Sequence, residues 1–584
     1  MVTAKAAIDL GLYCLQNQAK NYKMSNPETP VSRFATHQVV NQPEPLENYN
    51  AYAQDVALNE AVAREGGSDF QDLLRDYGAI AGSEIQRLGF EANQHKPVLK
   101  THDRYGHRMD QVEFHPAYHR LMELGLTHGL ASLTWTGRPG ARVARSALMY
   151  LHNQFEAGTM CPITMTHAVI PSLRAQPDVA AQWEPRVRAG QYDPSFRPAA
   201  DKTGVTLGMA MTEKQGGSDV RSNTTTAQPL GSPGGGQAYE LVGHKWFCSA
   251  PMSDAFLSLA QTDEGLSCFL VPRWRPDGTV NPIHIQRLKD KLGNQSNASS
   301  EIEYPGTWGQ MIGEPGRGVA TIIRMVAETR LDCVIGSASL MRQALSQAIH
   351  HCDQRDAFGS RLSRQPLMMN VLADLAIESE AAMVLALHLA SRFECAASDE
   401  QSELVARIAT PIAKYWVCKR AVHLANEAQE CLGGAGYVEE FILPRIYREA
   451  PVNAIWEGSG NIQCLDVLRA IDREPRCLDA LEAVFRPHIE TLPQLQGILD
   501  SVRTDLKSGD RIQLRARRMV EQLAISLQAV LLIESGSQAV ADAFVASRLR
   551  HDGGLMFGTL PDSSHLQVII DRARPTGQAS GTDA

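Results

Sequence analysis

The feature that most constrains how this 584-residue chain can fold is a hydrophobic period that changes twice along its length. From about Asp55 to Gly190 apolar residues recur at helical spacing, as in His119-Arg-Leu-Met-Glu-Leu-Gly-Leu126. Between about Thr203 and Gly313 the texture shifts to short β-rich runs: Val205–Thr212, Tyr239–Ser249, Ala255–Gln261, Ser267–Pro272, Ile283–Leu288 and Glu301–Tyr304. Turn clusters such as Gly231-Ser-Pro-Gly-Gly-Gly and Pro276-Asp-Gly separate them. After Gly318 long amphipathic helices return, through Ile322, Val326, Leu331 and Ile335, then Leu372 to Leu389 and Val405 to Leu432. Four such helices suit an antiparallel bundle. The expected fold is mainly α with a central β-barrel domain, plus an extra C-terminal helical segment. Its boundaries are a flexible extension (1–33), an N-terminal helical domain (34–202), a middle β-domain (203–314), a four-helix bundle (315–472), an extra helical domain (473–574) and a disordered tail (575–584). Residues 1–23 read either as a flexible extension or as an upstream mis-called start, since Met24 opens a polar stretch.

Charge and cysteine content remove several classes. Lys and Arg total 56 against 65 Asp and Glu, so the net charge of -9 repels polyanions and any nucleic-acid role needs a local basic patch. Eleven cysteines without a C-x-x-C pair fit neither a disulfide framework nor a zinc site, and point to a reducing cytoplasm. The apolar runs are too short to span a bilayer. Near the start, Asp9 interrupts the run Ile8–Leu15 and no signal-peptide cleavage site follows.

Three segments carry candidate chemistry. In Thr212-Glu-Lys-Gln-Gly-Gly-Ser-Asp219 a strand runs into hydroxyls and adjacent glycines, where backbone amides and the Thr212 and Ser218 hydroxyls can approach a flat polar ligand. Taken alone, this reads as a solvated loop. Gly243-His-Lys-Trp-Phe-Cys-Ser249 sets two aromatics beside a hydroxyl, as an isoalloxazine ring requires, although aromatic pairs in strands more often belong to the core. Ile455-Trp-Glu-Gly-Ser-Gly-Asn-Ile-Gln463 places one carboxylate in a glycine-rich turn before a helix. A lone glutamate is usually a surface charge; the flanking Trp456, Gly458 and Gly460 argue for a fixed turn.

In this order, the three segments resemble the acyl-CoA dehydrogenase family from about Phe34 to Ala470. Lys291-Leu-Gly-Asn-Gln-Ser-Asn-Ala-Ser-Ser, Thr329-Arg330, Arg355-Asp-Ala-Phe-Gly and Glu430-Cys-Leu-Gly-Gly-Ala-Gly-Tyr437 extend the match. The forms Cys161-Pro-Ile-Thr-Met-Thr, Met211-Thr-Glu-Lys-Gln-Gly-Gly-Ser-Asp-Val and Gly243-His-Lys-Trp-Phe are similar to the AidB-type branch. The resemblance implies an FAD-dependent dehydrogenase, a homo-oligomer and usually a tetramer, acting on an acyl-CoA thioester. Glu457 matches the base that removes the α-proton while the β-hydrogen leaves as hydride. Met211, Thr212, Gly217 and Ser218, with Phe247, Cys248 and Ser249, match residues that hold the flavin. Trp456, Gly458, Ser459 and Asn461 flank the base in the same cofactor-binding set. Arg355 and Phe358 match positions that reach the FAD of a neighbouring subunit, and Gly433 and Gly434 of the bundle turn belong to the cofactor-binding set. The resemblance names no electron acceptor.

Some positions depart from the pattern. Glu430 and Pro366, with Gln365 one place early, stand where the family has glutamines, and Gln295 stands where arginine is common. Arg469 either turns back toward Glu457, which would weaken the base, or pairs with Asp466 or Asp472. The AidB-type branch is also associated with double-stranded DNA and the alkylation response, so the alternative function is a DNA-binding flavoprotein with little turnover. Residues 471–584 carry thirteen Lys and Arg against fifteen Asp and Glu. Only the cluster Arg511, Arg515, Arg517 and Arg518 could form a phosphate stripe, and interleaved aspartates favour an ordinary solvated helix.

Overall fold

The computed structural model describes residues 34–562 and 564–575. The expected extension at 1–33 and nearly all of the expected tail at 575–584 lie outside the described residues. Residues up to Gln42 form one unit, whose described part holds no helix or strand, and Pro43 onward forms a second.

The second unit opens with helices α1 (Val56–Arg64), α2 (Gln71–Ile80) and α3 (Gln86–Gln94). Asp55 caps α1, its carboxylate accepting from the Leu58 N–H at 3.1 Å, which satisfies one of the first-turn donors. A hairpin of β1 (Val98–His102) and β2 (Arg108–Glu113) then interrupts the helices, so this region is not purely helical. α4 (Pro116–Thr127), α5 (Ala141–Asn153), α6 (Met160–Ala168) and α7 (Pro177–Val187) complete the layer. Every residue of α5 is buried, so its charges need partners inside the protein. Arg142 bonds Glu328, and Arg145 bonds Asp332 at 2.8 Å.

Seven strands build the barrel: β3 (Leu207–Ala210), β4 (Thr226–Pro229), β5 (Ala238–Ser249), β6 (Ala255–Thr262), β7 (Gly265–Pro272), β8 (His284–Leu288) and β9 (Ser299–Ile312). The order β6-β4-β5-β9-β7 closes because β7 pairs back onto β6, leaving β3 parallel to β6 and β8 against β9. Alternation places Tyr239, Leu241 and Cys248 of β5 in the barrel core with Phe269, Ile302 and Tyr304. The register of β5 on β9 shifts between Lys245 and Cys248, so Trp246 and Phe247 both escape that core.

Beyond the barrel, α8 (Gly318–Gln354), α9 (Pro366–Cys395), α10 (Glu400–Cys431) and α12 (Gly460–Arg473) pack together, with the short α11 (Leu443–Glu449) in the connection. Helices α13 (Arg476–Phe485), α14 (Gln494–Leu506), α15 (Ile512–Glu534), α16 (Gln538–Phe544) and α17 (Leu566–Ala573) follow. Their Phe485, Leu527, Phe544 and Ile570 join the same apolar core as Leu385 of α9 and Val417 of α10. Arg548 seals that junction, bonding Glu378 of α9, which Arg420 of α10 also holds at 2.8 Å. Among the described residues no helix is long and apolar enough to cross a membrane.

Candidate active site

Glu457 lies in the turn before α12 with φ +57°, a left-handed conformation that costs a non-glycine residue about 1–2 kcal/mol. Neighbouring side chains hold the turn by its carbonyls. Lys414 of α10 is buried and donates its ammonium to the carbonyls of Asn453 (3.0 Å), Trp456 (2.8 Å) and Gly458 (2.9 Å). Gln463 bonds the carbonyls of Glu457 (3.0 Å) and Gly458 (2.9 Å), and Arg330 of α8 bonds that of Glu457 at 3.1 Å. Gly458 has to be glycine: its φ is +96°, and an added Cβ would meet Gln463 Nε2 at 2.8 Å. Trp456 is fixed by its indole N–H on Asn453 (3.0 Å).

With the backbone so constrained, the Glu457 carboxylate oxygen Oε2 is buried and has no hydrogen-bond partner in the protein. A buried acceptor left unmatched is costly, which suits a group that meets its partner only on ligand binding. Burial raises its affinity for a proton above that of an ordinary glutamate, against the Thr329 hydroxyl and the charges of Lys414 and Arg330. Asp466 diverts part of the positive charge: it takes Arg330 at 2.6 Å and Arg407 at 3.0 Å. Arg469 also goes to Asp466, at 3.7 Å, and this is the bland alternative of its two readings.

The turn faces the barrel across α6. The Cys161 thiol interacts with Ser249 and with the charges of Lys291 and Glu457, joining the end of β5 to the carboxylate. Burial pushes this thiol up to about 11, so it stays protonated near neutral pH. Ser249 also pairs with Ser299 at 3.1 Å. Phe247 is about half exposed, with the Lys289 ammonium 4.7 Å from its ring and 3.3 Å from that of Trp246. Cys248 points the other way, into the barrel core.

A buried ion pair positions the glycine loop. Glu213, directly after Thr212, meets the Lys245 ammonium at 2.7 Å with both side chains fully enclosed, and it also takes the N–H of Thr224 at 2.7 Å. The Trp246 N–H reaches the Thr212 carbonyl at 2.8 Å, tying the loop to β5 beside Phe247. Asn223 ties down the Met211 carbonyl at 2.9 Å. Gly217 closes on the Thr212 side chain, where a Cβ would come within 2.4 Å of Oγ1, while Ser218 is exposed. The sequence motifs include Glu213, Lys245 and Gln463 without marking these roles, and Lys414 lies outside all of them. Only a buried charge without a sequence-local partner could have flagged them.

The remaining candidates lie elsewhere. Ser459 stands exposed at the N-cap position of α12 without a side-chain capping bond, and Asn461 accepts from Arg517 at 2.8 Å. Arg355 ends α8, and Phe358 stands almost wholly exposed at the tip of the hairpin Asp356–Arg361, with φ +52°. The turn with Gly433 and Gly434 is at the same end, where Cys352 contacts the Cys431 carbonyl at 3.8 Å. Along α8 this end is about 37 Å from Arg330 at about 1.5 Å per residue, so within one chain it does not share the Glu457 cleft. Two of the four arginines in the cluster are engaged within the protein: Arg515 bonds Asp505 and Arg517 bonds Asn461. All four are exposed, and those two bonds draw half of the cluster toward partners within the chain.

Residues 41–194 match the family model described as the adaptive response protein AidB N-terminal domain. Residues 208–306 and 316–471 match the middle and C-terminal domains of acyl-CoA dehydrogenases. AidB of Escherichia coli (strain K12) is 46% identical over 510 residues, covering 86% of this chain and 92% of its own. Acyl-CoA dehydrogenase family member 11 of Caenorhabditis elegans is 29% identical over 561 residues, 92% of this chain and 86% of its own. The crystal structure of Caenorhabditis elegans ACDH-11 in complex with C11-CoA superposes with a TM-score of 0.77, with 26% identity over 96% of this chain and 94% of that one.

Proposed function

The chain belongs to the acyl-CoA dehydrogenase family, in its AidB-type branch, and on that premise we propose that it is an FAD-dependent oxidoreductase that α,β-dehydrogenates an acyl-CoA thioester, with Glu457 as base. The observation that carries this reading is the buried, unpartnered Oε2 of Glu457, held on a left-handed residue beside Cys161 and Ser249. A flavin fits the opposite wall. Phe247 offers an exposed ring, and Gly216 has open space where a Cβ would stand, beside the exposed Ser218. FAD, the cofactor of the family, supplies a hydride acceptor when bound.

The chain's own residues then do three things. Glu457 Oε2 takes the α-proton, its burial making it a stronger base than a solvated carboxylate while the Thr329 hydroxyl and the charges of Lys414 and Arg330 moderate that rise. The carbonyl bonds from Lys414, Gln463 and Arg330 hold it in place through the transfer. The neutral Cys161 thiol leaves Glu457 as the sole anionic group among these partners, so the proton has one destination.

We infer also that the active unit is a homo-oligomer, usually a tetramer in this family, in which Arg355 and Phe358 reach a neighbour's cofactor. The exposed Phe358, remote from Glu457 in its own chain, supports this. Described cysteines that are all free support a cytoplasmic setting. The ACDH-11 complex with C11-CoA supports an acyl-CoA thioester as ligand. The test is anaerobic titration of the purified yellow protein with a panel of acyl-CoA thioesters. Bleaching of the flavin band by at least one member is expected, and a band that none of them bleaches contradicts the dehydrogenase reading.

A further inference from the structure

A second cavity of about 100 Å³ lies between α4, the segment 192–197 and the barrel, with no residue of the Glu457 turn in its lining. Its helical wall is apolar, with Phe114, Tyr118 and Met122. Its barrel wall holds three hydrogen-bond donors without a partner in the protein: Arg273 Nε, Trp274 Nε1 and Ser253 Oγ. Arg273 and Ser253 are each only 3% exposed, so water outside the protein does not satisfy them. Three orphan donors converging on one enclosed space are far outside the usual incidence of unpaired buried groups.

The charges point the same way. Lys202 is neutralised by Asp254 at 2.7 Å, and Arg197 by Asp193 at 2.5 Å. Burial keeps His119 below its ordinary proton affinity and thus neutral. Arg273 alone lacks a carboxylate: its terminal nitrogens go to the carbonyls of Pro251 and of Asp110 (3.0 Å), and its remaining face lies 4.9 Å from the Phe196 ring. The nearby Asp110 is already held by Arg108 at 2.6 Å. Arg273 is thus the one cation of the lining without a direct ion pair, Asp110 and Asp254 acting on it only at longer range, and a buried charge without a bonded counter-ion is unfavourable.

We propose that this cavity is a binding site for a small monocarboxylate with a short apolar tail, its oxygens on Arg273, Trp274 and Ser253 and its tail against Phe114, Tyr118 and Met122. The size admits a few heavy atoms, since one water needs only about 10–15 Å³ of such space. Paired charge with directed donors is the usual basis of carboxylate recognition.

The experiment titrates the FAD-loaded full chain with sodium butyrate at constant ionic strength, with butyramide as the uncharged control. Thermal unfolding and tryptophan fluorescence are the readouts. Butyrate should give a saturable shift and butyramide a much weaker one. Ser253→Ala and Trp274→Phe should each weaken butyrate about ten-fold, the loss of one bond to a charged group, with the flavin spectrum unchanged. Arg273→Met should abolish the shift; if that variant does not fold, the two milder ones decide. No saturable shift, as for a site that holds ordered water only, overturns the proposal. So does equal binding of butyramide, or butyrate affinity unmoved by both milder variants.

Discussion

Lys414 governs Glu457 without touching its carboxylate: the ammonium bonds the carbonyls on either side of the glutamate, Trp456 at 2.8 Å and Gly458 at 2.9 Å. The same charge lowers the proton affinity that burial raises. One side chain thus sets both the geometry and the ionisation of the proposed base.

Lys414→Met should therefore act on rate and on pH profile together. Loss of the ammonium removes the bonds to Asn453 and Trp456 and leaves the Gly458 carbonyl to Gln463 alone, and about 2–4 kcal/mol of stability should go with it. Without the positive charge, Glu457 holds its proton to higher pH. The inflection of flavin reduction against pH should then move upward from its wild-type position, which itself lies above that of an ordinary glutamate. An inflection that stays put in a folded, FAD-containing variant would remove Lys414 from the ionisation argument.

Gly458→Ala tests the turn itself. At φ +96°, with a Cβ 2.8 Å from Gln463 Nε2 and 2.9 Å from Ile462, the alanine must displace the side chain that anchors Glu457. A loss of about 1–3 kcal/mol in chemical denaturation and at least about ten-fold in reduction rate is expected, with FAD retained. Wild-type kinetics would show that the turn tolerates movement.

The Glu213–Lys245 pair predicts an acid-sensitive cofactor loop. Burial alone would raise Glu213, but the bond and charge of Lys245 and the Thr225 hydroxyl bring it down from 4.5 to about 2. A depressed carboxylate stabilises the fold above its unfolded value, and this contribution is lost as pH falls from about 4.5 through about 2. Glu213→Gln should flatten that limb of the stability curve while costing about 3–5 kcal/mol at neutral pH, because Lys245 is left buried and unpaired. Adding Lys245→Met should recover much of the loss. A double variant no more stable than the single one would contradict the pairing argument.

Phe358→Asp probes the inferred assembly. A charge on the exposed hairpin tip should reduce the oligomer by light scattering and weaken FAD retention, with helix content unchanged. An intact oligomer with full FAD would place the interface elsewhere.

Much of the fold was legible because the hydrophobic period changes where the layers change. β5 through β8 lie within about two residues of their expected ends, since each is a β-rich run bounded by turn signals. β9 runs to Ile312 instead of Tyr304 because Pro305 and Gly306 look like a stop, whereas the ladder absorbs them as a register shift against Val242. β4 and the hairpin β1–β2 were not foreseen: both are short, largely solvent-facing and lack an apolar stripe. At the site, Glu457 and the glycines announced themselves through their turn. Lys414 and Gln463 did not, because they act on backbone carbonyls and any helical lysine or glutamine looks the same until tertiary contacts bury it.

The most direct measurement is stopped-flow reduction of the flavin in Glu457→Gln under anaerobic conditions, using a thioester that bleaches the parent protein. The substitution keeps the shape of the side chain and removes its basicity. The account predicts that FAD content and unfolding temperature stay near those of the parent while reduction falls by at least about 10²-fold, within the usual contribution of a general base. Reduction at the parent rate, in a variant that still binds FAD, would contradict the assignment of Glu457.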